Sequence, residues 1–156
     1  MKNLSGNDDV HYVGEFVLTR EGSINFGEIS REIACKIRRQ TGKIRLRIGE
    51  HDNFKNKGYG EKHIERPERL GQIKNKGYNN ARDFVYDIVS SFDIIYKGKG
   101  LRLILSKNGK ITDDAIFIEL VLSKEGDFYD VKTGLIARKN YFKNKTPLWI
   151  KPKNGV

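Results

Sequence analysis

Four extended runs follow one another closely in the second half of the chain, at about 93–97, 101–107, 115–123 and 127–133. The links between them are short: Gly98-Lys99-Gly100, then a loop with Asn108-Gly109, then Glu125-Gly126. Parallel neighbours need crossovers of a dozen or more residues, so these links predict an antiparallel meander. Two amphipathic segments lie upstream. Over 26–40, Phe26, Ile29, Ile33 and Ile37 recur at helical spacing, with Asn25 placed to cap and Glu28 at the capping-box position. Lys36, Arg38 and Arg39 fall in the last turn of that pattern and Gly42 lies just beyond it. Over 80–91, Ala81, Phe84, Val85, Ile88 and Val89 form one stripe behind Asn79 or Asn80. The expected fold is α+β, with N-terminal helices packed on a four-stranded antiparallel meander sheet.

At 156 residues the chain is expected to form one main domain over 26–151. Residues 1–25 read as an N-terminal extension with an extended segment at Val10–Thr19, and 152–156 as a tail. Residues 49–78 are rich in Gly, Asn, Lys and His, with Pro67 dividing two short helical stretches. A single cysteine excludes an internal disulfide framework and a Cys-rich zinc module. No apolar run approaches the length of a membrane span and the N-terminus lacks an apolar signal region, so no membrane partner and a cytoplasmic location are expected.

The net charge of +10 is gathered rather than scattered. All 20 acids lie at or before Asp130, and residues 131–156 hold seven Lys/Arg and no acid. Residues 36–47 carry six bases unopposed, and Lys97–Lys110 adds five. Lys43 to Ile48 alternates strictly, so Ile44, Leu46 and Ile48 face a core while Lys43, Arg45 and Arg47 form a cationic outer face. Clustered bases attract phosphate backbones through Coulomb forces and counterion release, and interleaved aromatic rings can stack on unpaired bases. Nucleic acid is the expected partner.

The alternation of the meander suggests a chemistry. Ile116, Ile118, Leu120 and Leu122 share the face that covers the helices, which puts Glu119 on the open face. Arg102 opposes Leu101, Leu103 and Leu105 in the same way. The last hairpin brings either Asp130 and Lys132 or Tyr129 and Thr133 beside Glu119, and the sequence leaves that register open. A carboxylate among cations can cleave RNA without metal: a base removes the 2′-OH proton, cations stabilise the phosphorane, and an acid protonates the leaving oxygen. The plainer reading of Glu119 is a cross-strand ion pair on a solvated sheet face. His63, in Gly60-Glu61-Lys62-His63-Ile64-Glu65-Arg66, is the imidazole placed to act as acid or base near neutral pH. His51 and His63 are not at helical spacing and no Cys is near either, so no metal site and no cofactor are expected. No Walker loop, dinucleotide fingerprint or Gly-x-Ser-x-Gly occurs.

The order Lys43-Ile44-Arg45-Leu46-Arg47-Ile48-Gly49, then Gly60-Glu61-Lys62-His63-Ile64, resembles the phage- and mobile-element-associated barnase/colicin-type endoribonuclease domains. Asp83–Val89, Phe117–Leu120, Tyr129–Thr133 and Leu148–Lys151 fit the same succession of helices and sheet. The resemblance implies a barnase-like fold and metal-independent RNA cleavage through a 2′,3′-cyclic phosphate. It also implies a toxin or element-borne effector, with tRNA the favoured substrate and an immunity or inhibitor protein as a further partner. It carries the pairs Lys62-His63 and Lys132-Thr133 into the candidate site. Glu119, Arg102 and Tyr129 join them from the alternation, and Arg45, Arg47, Arg66 and Arg138 are further cations expected to hold phosphates. The reading from a different class is a non-catalytic basic RNA- or DNA-binding, or counter-defence, protein.

Overall fold

The computed structural model describes residues 10–153, so parts of the expected N-terminal extension and tail lie outside the described residues. Eleven strands and four short helices follow one another in it. The first half holds β1 (Tyr12–Val13), β2 (Phe16–Val17), β3 (Gly27–Ile29), α1 (Arg31–Ile37), β4 (Gly42–Arg45), β5 (Glu50–Asp52) and β6 (Lys57–Tyr59). Then come α2 (Gly60–Ile64), α3 (Pro67–Asn75), α4 (Ala81–Ser91), β7 (Ile94–Lys97), β8 (Leu103–Asn108), β9 (Thr112–Val121), β10 (Phe128–Arg138) and β11 (Pro147–Ile150). No described helix is long and apolar enough to cross a membrane.

The antiparallel run β7-β8-β9-β10 forms where the short connectors place it. It is not the whole sheet. The order is β11-β7-β8-β9-β10-β4-β3, seven strands, with β10 and β4 parallel. The sheet curls into a half-barrel, and α1, leaving the β3 edge, reaches across to touch β11 on the other. The expected barnase-like arrangement of N-terminal helices on a four-stranded meander is therefore incorrect. The physical reason is that a pattern of alternation marks a strand without naming its partner. β4 finds β10 across some eighty residues, and β11 closes on β7, with Trp149 edge-on to Phe92 at 5.4 Å.

The expected helix over 26–40 is also corrected. A three-residue spacing between apolar positions suits a strand turning into a helix as well as a helix. Ser30, extended, accepts a hydrogen bond from Ile33 N at 3.2 Å and starts a helix of only seven residues, which Arg38 ends in the left-handed region. Asn25 and Glu28 serve the sheet instead, accepting from Arg45 Nε at 2.8 Å and Lys43 Nζ at 3.0 Å. The helix expected at 80–91 forms with Asn80 as its cap, accepting from Asp83 N at 2.9 Å.

The core lies between one face of the sheet and α4. Phe84, Val85 and Ile88 meet Leu103, Leu105, Ile116, Ile118, Tyr129 and Val131, all essentially sealed from solvent. Each such side chain contributes about 1.5–3 kcal/mol by leaving water. The second face divides along its strands. Toward one end Ile104, Ala115, Ala137 and Phe142 form a smaller apolar cluster; toward the other lie Arg102, Glu119, Asp130 and Arg47.

Candidate nucleic-acid interface

β4 accompanies β10 only from Phe128 to Asp130; past that point α2 packs against β10. Two glycines make the junction possible. Gly49 (φ +73) and Gly60 (φ +76) take left-handed backbone, and a Cβ on either would collide with backbone, Tyr59 O at 1.9 Å or Arg47 O at 2.5 Å. Glu61 N and Lys62 N then donate to Arg47 O and Ile48 O at 2.9 and 3.0 Å, fixing α2 to the end of the cationic segment.

This docking brings two distant imidazoles together. His63, on α2 and 9% exposed, has its Nδ1 2.8 Å from Nδ1 of His51 on β5. Such a contact needs one Nδ1–H and one bare Nδ1. When both rings are neutral, it leaves a bare Nε2 on the first ring and an Nε2–H on the second. The pair thus carries a base and an acid at once. Burial, then the charges of Arg66, His51, Arg69 and Arg102, push the His63 pKa down to about 4. An open groove lined by Glu50, His51, Asp52, Lys57 and Gly58 runs along the hairpin. At the hairpin's tip the Phe54 ring is fully exposed among lysines.

The register left open by the sequence is settled by a bulge. Asp130 lies opposite Glu119, Val131 opposite Ile118 and Thr133 opposite Phe117, so Lys132 has no partner. A bulge re-aims its side chain. Lys132 Nζ reaches back to Asp130 Oδ2 at 3.0 Å and lies 5.3 Å from the Tyr59 ring centre, while Thr133 keeps the face of Glu119. Asp130, fully buried, also takes a two-pronged bond from Arg47, at 3.1 and 2.6 Å. The Arg47 guanidinium covers the Tyr59 ring from 4.4 Å. Arg47 Nη1 also lies 3.4 Å from Glu15 Oε1, so two cations are shared between two carboxylates.

Glu119 accepts from Arg102 Nε at 3.0 Å with both side chains about two-fifths exposed, the cross-strand pair that the alternation allowed. Arg66, 9% exposed, donates through Nη1 to the His63 carbonyl at 2.6 Å. Lys62 is solvent-exposed beside it. Arg138, also exposed, covers Tyr141 at 5.4 Å toward the far end of the face. Arg45 is engaged by Asn25 and packs against Phe16 and Phe128, opposite Asp130 in the register. Tyr129, expected in the site, is withdrawn from it altogether. It points into the core, 2% exposed, and its hydroxyl donates to Gln40 O.

Arg69 and Phe54 belong to the neighbourhood without having been singled out for it, while the sequence raises His51 only as a metal ligand and Asp130 as one of two register alternatives beside Glu119. His51 and His63 are twelve residues apart on different elements, and only the hairpin-to-helix turn at Gly60 joins them. Compared with protein-family models, curated proteins and solved structures, the chain matches none.

Proposed function

We propose that this face holds an RNA backbone and cleaves it without metal by attack of a 2′-OH on the adjacent phosphate. The observation that carries the reading is the Nδ1–Nδ1 contact of His51 and His63, with Arg66 Nη1 on the His63 carbonyl beside it. The bare Nε2 of one imidazole removes the 2′-OH proton as O2′ bonds to phosphorus. The Nε2–H of the other protonates O5′ as the P–O5′ bond breaks, leaving a 2′,3′-cyclic phosphate. A proton moving across the Nδ1–Nδ1 bond then returns both rings to neutrality with their roles exchanged. Arg102 and Lys132 stabilise the charge that develops on the phosphorane. Thr133 orients the phosphate, and Glu119 acts as a positioning residue that holds the Arg102 guanidinium. A bound phosphodiester offsets the cations around His63 and lifts its pKa from about 4 toward the neutral range where proton exchange is efficient.

The test is incubation of the purified protein with tRNA and total RNA in EDTA, with analysis of product ends. Cyclic-phosphate termini, lost in His63→Ala and His51→Ala, are expected. Cleavage only with added divalent metal, or cleavage that survives both substitutions, overturns the proposal. One observation favours the second reading, a binder that does not cut: Arg47 and Lys132 are already committed to Asp130. Intact RNA bound with a steep salt dependence is its signature.

A further inference from the structure

Arg82 and Arg47, which pin the N-terminal strands and β10, are well satisfied, whereas Arg39 has one buried Nε without a partner, its Nη1 donating to Ile37 O and Arg38 O. Arg82, 1% exposed, donates to Leu18 O at 2.7 Å and Thr19 O at 3.0 Å, and Arg47 is held by Asp130. The start of α3 is different. Arg66 Nε, Arg69 Nε and Arg69 Nη1 are buried and have no hydrogen-bond partner among the described residues. The two guanidiniums are close enough to oppose each other's charge. The carboxylate in reach is Glu68, whose Oε1 is 3.8 Å from Arg66 Nε, too long for a hydrogen bond, on a side chain that is largely exposed. No side chain caps α3 either. Buried donors on charged groups without acceptors are among the most unfavourable arrangements a fold can keep, and like charges side by side add to the strain. Such an arrangement is the complement of an anion with several acceptor oxygens, because Arg presents a planar fork of donors to such a group.

We propose that Arg66 and Arg69 form a phosphoryl-binding subsite distinct from the imidazole pair. Arg66 ties the two places together, since its Nη1 holds the His63 carbonyl while its Nε stays unpartnered. Resting on the reading above, this subsite takes a phosphate neighbouring the one that is cleaved. Free inorganic phosphate presents the same chemistry.

The experiment uses the full chain and two probes, inorganic phosphate and a 2′-O-methyl oligoribonucleotide that lacks the attacking hydroxyl. Each is titrated against wild type, Arg69→Met, Arg69→Lys and His63→Asn, with chloride at matched ionic strength as control. Arg69→Met is expected to weaken binding of both probes about tenfold or more. Arg69→Lys, which keeps the charge and loses the fork, falls between Arg69→Met and wild type. His63→Asn binds phosphate within about twofold of wild type, as a neutral group replaced by a neutral one should. Removing an unsatisfied buried charge should also leave the melting temperature of Arg69→Met unchanged or higher, where a structural arginine would lower it. Loss of the oligonucleotide alone assigns the subsite to the backbone; loss of both probes admits the free ion too. Equal binding by wild type and Arg69→Met, or a lower melting temperature with binding retained, overturns the proposal. If binding follows Arg69 and RNA stays uncut, the subsite stands and the cleavage reading falls. If RNA is cut and binding ignores Arg69, the subsite alone falls.

Discussion

The two faces of β8, β9 and β10 are built from alternate residues of the same strands and could hardly be less alike. Leu103, Leu105, Ile116, Ile118 and Val131 point one way into a sealed apolar layer under α4. Arg102, Glu119, Asp130 and, through the bulge, Lys132 gather on the other. The first face supplies most of the burial that holds the fold together. The second can therefore carry groups that a core would reject, among them the Arg102–Glu119 pair and Asp130 with its two cations. Stability and chemistry are separated by a period of two residues.

That separation can be broken from either side. On the charged face, His63→Asn removes a proton-transfer group and is expected to slow RNA cleavage about 10²–10⁴-fold while the urea midpoint holds or rises. A comparable loss of stability would make His63 structural instead. On the apolar face, Phe84→Ala opens a cavity beneath the sheet and should cost about 3–5 kcal/mol in urea unfolding. A loss under 1 kcal/mol would mean that the charged face shares the work of holding the sheet.

The pH dependence gives a smaller effect with a definite sign. His63 titrates near pH 4 when folded, below the ordinary value of 6.5, so the unfolded chain takes up its proton first. Its contribution to stability is present above pH 6.5 and is lost progressively as the pH falls toward 4, by no more than roughly 3 kcal/mol. The difference between wild-type and His63→Asn unfolding free energies should show this slope, and parallel curves would contradict it. Glu119→Gln is the smallest change expected: under 1 kcal/mol in stability and a few-fold in cleavage, as for an exposed ion pair. A loss of about 100-fold would restore Glu119 to the proton-transfer role its place on the strand first suggested.

Local signals in the sequence were legible where one element suffices to explain them. Asn80 followed by the stripe Ala81 to Val89 gives α4, and the glycine-bearing links give the β7-to-β10 run. What failed was partnership. Nothing in Gly42–Arg45 announces a parallel neighbour beyond Asp127, so β4 and β3 could not be added to the sheet, nor could β11. Phe26 and Ile29 have helical spacing although the chain is extended there, and Ser30 marks where strand yields to helix. The candidate site shows the same limit. His63, Lys132, Arg102 and Glu119 were visible as residue types on a pattern. His51 as a partner needed the fold of the hairpin, and the choice between Lys132 and Thr133 dissolved because a bulge gives both to one face. Tyr129 went to the core because Asp130 took the register opposite Glu119.

The most direct measurement uses a single oxygen. An oligoribonucleotide containing a mapped cleavage point is compared with the same strand carrying one 2′-deoxy nucleotide immediately 5′ of the scissile phosphate, both in EDTA. In-line attack by the neighbouring hydroxyl predicts that the first is cut and the second is bound but left whole. Equal cutting of the two strands, or no cutting of either, would contradict a site built to activate that hydroxyl.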